Sequence, residues 1–300
     1  MIIVDMKGNI GNQMFIYAVA RKIQEETNDT ICVNTYYLKK NYPSYKFNLN
    51  IFKLNDNVIF DNKKIPFFAS SESKFFKIFR RLTFNISFFQ KLYFKLFSLF
   101  NIFVWNGTTY QKINIKKSKN IYLSGYWQCP KYFDDIKHIL VNEFSVKENV
   151  SDKNKILLNE IINSESVCVS IRRGDYLSNP QVKKFHYLCD ETYFKKAIDK
   201  IKTNIKNPTI FCFSDDPQWV QENIKFDCKT IYENIGNTLI DKLILMENCK
   251  HFVLSNSSFS WWVEFLSVNE KNKIVIAPNN WYANKQKADI YEPYWLTIEV

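Results

Sequence analysis

The chain has 300 residues, 46% hydrophobic and 24% charged, which excludes a disordered polymer and leaves room for a large core or two domains. Its formal charge of +11 points to anionic partners: nucleotide phosphates, nucleic acid or an acidic membrane surface. Seven cysteines form no CxxC pair, and an odd number lying partly in apolar runs argues against a secreted disulfide scaffold and for a reducing cytoplasm.

The opening Met1-Ile2-Ile3-Val4-Asp5-Met6 lacks the basic start of a signal peptide and reads as a buried strand. Residues 7–12 read as a Gly/Asn loop, 13–27 as an amphipathic helix and 31–33 as a second strand, the start of a nucleotide-type α/β layer. No stretch reaches the ~20 uninterrupted apolar residues of a spanning helix. Between 74 and 103, Phe75, Phe76, Phe79, Phe84, Phe88, Phe89, Phe94, Phe97 and Phe100 interleave with lysines and arginines. Basic amphipathic helices of this kind lie on anionic membranes, while the preferred reading is a helical insertion (about 70–105) packed on the first domain. A strand is expected over 121–127.

Around 145–155 the chain turns polar and loses periodicity, so a boundary is placed at 148/149, giving domains 1–148 and 149–300. Beyond it helices are expected over 153–162, 192–204, 218–223, 239–249 and 259–267. Strands are expected over 167–171, 209–213, 229–232, 251–254 and, as the last, 273–277. Strands that alternate with helices predict parallel sheets in an α/β fold.

Ligands of parallel α/β sheets bind outside the carboxyl ends of the strands, so the loops there are the candidate sites. The apolar run Val167-Cys168-Val169-Ser170-Ile171 ends in Arg172-Arg173-Gly174-Asp175, and two guanidinium forks suit a diphosphate. The alternative is a pair of surface ion pairs. Gly8-Asn9-Ile10-Gly11-Asn12-Gln13 brings two glycines to a helix start, where backbone N–H groups face anions. Phe213-Ser214-Asp215-Asp216-Pro217 offers paired acids for a metal, a sugar or a base, or a helix cap, which is favoured for at least one of them. Ser255-Asn256-Ser257-Ser258-Phe259-Ser260-Trp261-Trp262 offers hydroxyls at another helix start, with two tryptophans for a sugar or for the core. His138, His186 and His251 show no metal spacing, and neither HExxH nor a P-loop occurs.

These four motifs, in this order, resemble the bacterial α-1,2-fucosyltransferases of glycosyltransferase family 11, and the resemblance spans nearly the whole chain. It implies a GT-B architecture, two Rossmann-like domains facing a cleft. It also implies metal-independent, inverting transfer of fucose from GDP-fucose to the 2-hydroxyl of a terminal galactose, on an O-antigen or similar glycan. Carried onto matching positions, it makes Arg172 the grip on the β-phosphate and Arg173 the support of the loop or of a second phosphate oxygen. Ser257 and Ser258 would cap the diphosphate beside Asn256 and Phe259, and Asn12, flanked by Gly11 and Gln13, would sit near the fucose and acceptor. Asp215 would lie in the donor site, Asp241 would approach the guanine by looser analogy, and Asp175 is a candidate base by position. Many members carry His two residues before the first arginine where this chain has Ser170, a departure that bears on base recognition. Readings outside this resemblance are a transferase of the same fold with another linkage or donor, and a basic nucleic-acid-binding protein, which would lack an RNP-type strand or a basic recognition helix.

Overall fold

The computed structural model describes residues 1–83, 86–116, 120–269 and 272–300. It falls into two compact units, Met1–Ser145 and Val146–Val300. Each is a parallel sheet flanked by helices.

In the N-terminal unit the strands are β1 (Ile2–Asp5), β2 (Ile31–Asn34), β3 (Val58–Asp61), β4 (Ile102–Trp105) and β5 (Ile121–Gly125). They pair in parallel in the order β3-β2-β1-β5-β4. The first helix runs Ile10–Thr27, three residues earlier than expected, so Ile10, Gly11 and Asn12 form its first turn instead of a loop. β3 escaped the sequence reading because it is an edge strand, with Ile59 and Phe60 exposed. The 74–103 segment is two helices, Lys74–Leu82 and Ser87–Ser98, followed by β4. It is therefore not wholly an insertion: Phe103 is fully buried in the sheet, and Phe84 lies outside the described residues. Phe76 and Tyr93 anchor the two helices through edge-on ring contacts 5.1 Å apart.

In the C-terminal unit the strands are β6 (Ser166–Ile171), β7 (Thr209–Ser214), β8 (Thr230–Tyr232), β9 (His251–Leu254), β10 (Val275–Pro278) and β11 (Leu296–Ile298). Their order is β11-β10-β9-β6-β7-β8, all parallel. The 273–277 strand is thus not the last: β11 follows it, unread because it is three residues long with Leu296 exposed. Strand alternation decides what covers each face. Val167, Val169 and Ile171 pack against Tyr193, Phe194, Ala197, Ile198 and Ile201 of the helix Glu191–Lys202. Ser170 points to the opposite face, under the helix Ser258–Phe265. Trp261 and Trp262 of that helix are fully buried, so their apolar area goes to the core.

In the first sheet the crossovers run outward from β1 through β2 to β3, then cross to β4 at the opposite edge and come back in to β5 beside β1. In the second sheet they run from β6 to β8 and then return to β9. Such a switch point leaves adjacent strand-end loops splayed apart, and there a ligand fits.

Candidate active site

At the β6/β9 switch point the six buried residues of β6 end at Ile171, and Arg172 is the first side chain past the sheet. Its Nη2 donates to Asp175 Oδ1 at 2.7 Å, and its Nη1 lies 2.9 Å from Asp215 Oδ2. The guanidinium also lies over the Tyr176 ring, 5.6 Å from its centroid. Burial opposes its charge, but Asp215 and Asp175 outweigh burial and raise its pKa above that of a free guanidinium. With 27% of the side chain exposed, the fork keeps an open edge.

Asp215 organises this loop. Its Oδ1 accepts the Arg173 backbone N–H at 2.8 Å while Oδ2 pairs with Arg172. A Cβ on residue 174 would stand 2.5 Å from that same Oδ2, so glycine is what admits the carboxylate. Gly174 thus makes room for Asp215, where the sequence suggested a turn or a ligand. Asp216 caps the helix Pro217–Asn223 through the Trp219 N–H at 3.4 Å, with Pro217 at the first helical position.

Arg173 does not stand beside Arg172 as a second clamp. Its Nε donates to Asp216 Oδ2 at 3.3 Å, and its Cζ lies 3.1 Å from the centroid of the Trp219 ring. Of its two expected roles, the geometry gives it the support of the loop. Asp175 likewise turns its carboxylate to Arg172, which makes it an orienting partner in place of a free base.

Across the switch point, the chain leaving β9 enters the helix Ser258–Phe265 with Ser257 at the N-cap position and no side-chain cap bond. Ser257 is 9% exposed, and Ser258 and Phe259 are partly exposed in the first turn. The first N–H groups of this helix carry the positive end of its dipole. Asn256 is a buried strut: its Nδ2 donates to the carbonyls of Trp281 (3.1 Å) and Tyr187 (3.3 Å), and its own carbonyl accepts the Tyr176 hydroxyl at 2.7 Å. It positions the turn in place of contacting a ligand through its amide. Ser170 is similarly committed, its Oγ 2.6 Å from Ser260 Oγ.

Two of the expected site residues are committed to the fold instead. Asp241 is 2% exposed and closes a capping box: Oδ2 accepts the Thr238 N–H at 3.2 Å, and Oδ1 accepts the Ser151 N–H at 2.9 Å. Burial raises its pKa, yet these bonds prevail and hold it well below the usual carboxylate range. A carboxylate so engaged caps a helix, and the expected guanine contact is not its place. In the N-terminal unit, Gln13 is fully buried, donating to Gly8 O (2.9 Å) and Lys46 O (2.8 Å) and accepting the Asn48 N–H (2.9 Å). Gln13 therefore ties loops together. Asn12 lies in the first turn of the helix that follows β1, where its Oδ1 accepts Gln128 Nε2 at 2.7 Å. Gly8, at φ +62°, leaves no room for a Cβ, which would lie 2.3 Å from Asn12 Nδ2.

Sequence reasoning missed two features. His186 stacks on Tyr176 at 4.8 Å with Tyr282 at 5.5 Å beyond it, and burial pushes its pKa down to about 4. A lone histidine 14 residues past Arg172 carries no local signal of that stack. The second is a buried polar cluster at the end of β1. There Asp5 accepts Ser70 Oγ (2.5 Å) and Ser124 Oγ (2.7 Å), and fully buried Lys7 contacts Ser71, with Glu72 3.7 Å away. Among the described residues no group of three or more His, Cys, Asp or Glu could hold a metal ion.

The chain is similar to known glycosyltransferases. An α-1,2-colitosyltransferase of Escherichia coli is 29% identical over 99% of both chains. The O-antigen biosynthesis glycosyltransferase WbnK of Escherichia coli is 27% identical over 98% of this chain and 99% of its own. The crystal structure of the fucosyltransferase NodZ from Bradyrhizobium superposes with a TM-score of 0.52 at 12% identity, covering 88% of this chain and 91% of NodZ. The fold is accordingly GT-B, α/β with parallel sheets of five and six strands. The family description "Glycosyl transferase family 11" matches residues 1–299. The chain belongs to glycosyl transferase family 11.

Proposed function

We propose that the protein moves L-fucose from GDP-fucose to the 2-hydroxyl of a terminal galactose on a surface glycan of the O-antigen type, with inversion and without a metal. The observation that carries this reading is the corner at the ends of β6 and β9. There a guanidinium, oriented by Asp175 and Asp215, and a helix start with no side-chain cap share the switch point. As the sugar–phosphate bond stretches, negative charge gathers on the β-phosphate and positive charge on the sugar. Arg172 and the backbone N–H groups at Ser258 and Phe259 stabilise the first charge in an already organised setting, which removes reorganisation from the barrier. An oxocarbenium-like sugar then needs modest deprotonation of the attacking hydroxyl. Asn12, with Gly11 beside it, is assigned to the sugar and acceptor.

The seven cysteines are free thiols among the described residues, which supports a reducing cytoplasm, where we place the enzyme. We also place peripheral membrane contact at the basic, aromatic segment 74–103. The α-1,2-colitosyltransferase likeness favours a second donor reading, a GDP-linked dideoxy sugar in the same site.

The test is transfer from GDP-fucose, GDP-mannose and GDP-colitose to a panel of β-galactosides with a chelator present, followed by linkage analysis. Transfer of fucose to O2 of galactose under chelation is expected. Preference for GDP-colitose would move the reading to the second donor, and transfer to another hydroxyl would overturn the linkage.

A further inference from the structure

We propose that the N-terminal unit docks on an anionic lipid bilayer through the outer face of the helices Lys74–Leu82 and Ser87–Ser98. The inference deepens the membrane contact placed above, and it is independent of which sugar the donor carries. Its ground is an exposed apolar surface that the fold does not cover. Phe76, Tyr93 and Phe94 are buried against the unit, while Phe75, Ile78, Leu82, Phe88, Leu96 and Phe100 face solvent. Leu82 is 72% exposed, Phe88 66% and Phe100 71%. Their spacing is helical: Phe75, Ile78 and Leu82 follow one stripe, and Phe88, Leu92 and Leu96 another. Large apolar side chains exposed along two helices that pack on each other mark an interaction surface.

Charge decides the partner. From Ser73 to Phe133 the sequence contains no aspartate or glutamate, whereas Lys74, Lys77, Arg80, Arg81, Lys91 and Lys95 intersperse the exposed rings. Protein–protein interfaces are depleted in lysine, and two copies meeting through this face would oppose like charges. Phosphate headgroups over hydrocarbon match both features at once: aromatic rings enter the acyl boundary while lysine stems snorkel to the anionic plane. No helix among the described residues is long and apolar enough to cross a membrane, so the helices lie in the interface.

The experiment is co-sedimentation of the purified full chain with vesicles of phosphatidylcholine alone and of phosphatidylcholine mixed with phosphatidylglycerol. Binding is expected to the mixed vesicles, weakened by salt, and far less to phosphatidylcholine. Lys91→Glu with Lys95→Glu should lower the vesicle partition coefficient by roughly tenfold or more, since each cation near such a surface is worth several-fold. Leu82→Ser with Phe88→Ser and Phe100→Ser should lower it further. Unchanged circular dichroism and unchanged GDP binding by calorimetry would show that these variants keep fold and donor site. Hydrogen exchange on the unaltered chain supplies a readout free of substitutions, with vesicle-dependent protection expected across 74–100. The proposal is overturned by equal binding to both vesicle types, by variants that bind as the parent does, by protection elsewhere, or by a dimer that the apolar triple variant dissociates. Loss of GDP binding in the parent chain would count against the transferase reading and leave this one standing.

Discussion

The corners at the ends of β1 and β6 each follow the first strand of a parallel sheet, and their interiors are opposite. At the end of β1 the polar groups turn inward: Gln13 bonds three backbone groups, and Asp5 and Lys7 sit fully buried among the serines at 70, 71 and 124. At the end of β6 the acids turn inward to hold a cation that stays partly in solvent, next to a helix start left without a side-chain cap. Apart from Asp5 Oδ1, which has no hydrogen-bond partner, the polar groups named in the first corner bond one another and hold its loops together, so it acts as support. An oriented, half-open cation has bonding capacity left over, so the second is where an anion belongs. A shared fold thus says where a ligand fits, and the satisfaction of polar groups says which corner is chemically open.

Substitutions in the two corners should therefore differ in kind. The largest effect is expected from Arg172→Ala, which should lower transfer about 10²- to 10³-fold, as for loss of one preorganised donor to a developing charge. Its melting temperature should stay near that of the parent, and steady-state kinetics beside calorimetry checks both. Near-normal turnover would erase the contrast.

Gly174→Ala touches no ligand in this account. It drives a methyl group against Asp215 Oδ2 and so misaligns Arg172, with a loss on the order of 10- to 100-fold in kcat. Steady-state kinetics reads the loss, and full activity of this variant would refute the clash.

In the other corner, Gln13→Ala should cost about 1–3 kcal/mol of stability by leaving buried backbone partners unpaired, with GDP affinity unchanged. Denaturant unfolding beside calorimetry reads both, and a chain that lost GDP binding at full stability would reverse the assignment.

The smallest effect concerns acid. Asp241 is held below its unfolded value, so its contribution is present above the unfolded carboxylate pKa of about 3.9 and fades as pH falls below it. Asp241→Asn should cost about 1 kcal/mol at neutral pH and flatten the fall in stability with acid. An unaltered acid profile would show that the capping box contributes nothing.

Much of the fold was legible. Val167 to Ile171 and His251 to Leu254 announce themselves as buried runs, and the alternation of strand and helix predicts parallel pairing. The edge strands β3 and β11 were not legible, because exposure on one side dilutes their apolar signal. The phenylalanine-rich segment could not be partitioned either: Phe75 and Phe76 are neighbours in sequence, yet one is exposed and the other buried. In the site, Arg172 was visible where a buried strand stops at a charge. Asp215 was visible as an acid, but not as the residue that holds the arginine loop 42 positions away.

What the amino-acid order determined by itself was local: where strands run, where helices start, and that charged and hydroxyl-bearing loops fall at the strand ends. These follow from side-chain period, from turn chemistry and from backbone groups that need partners within a few residues. Which polar groups remain open was decided only by the tertiary structure. Strand order brings Asp215 to Arg172, Asn256 to Tyr176 and Ser151 to Asp241 across tens of residues, and a donor or acceptor is free only after those distant partners have taken their share.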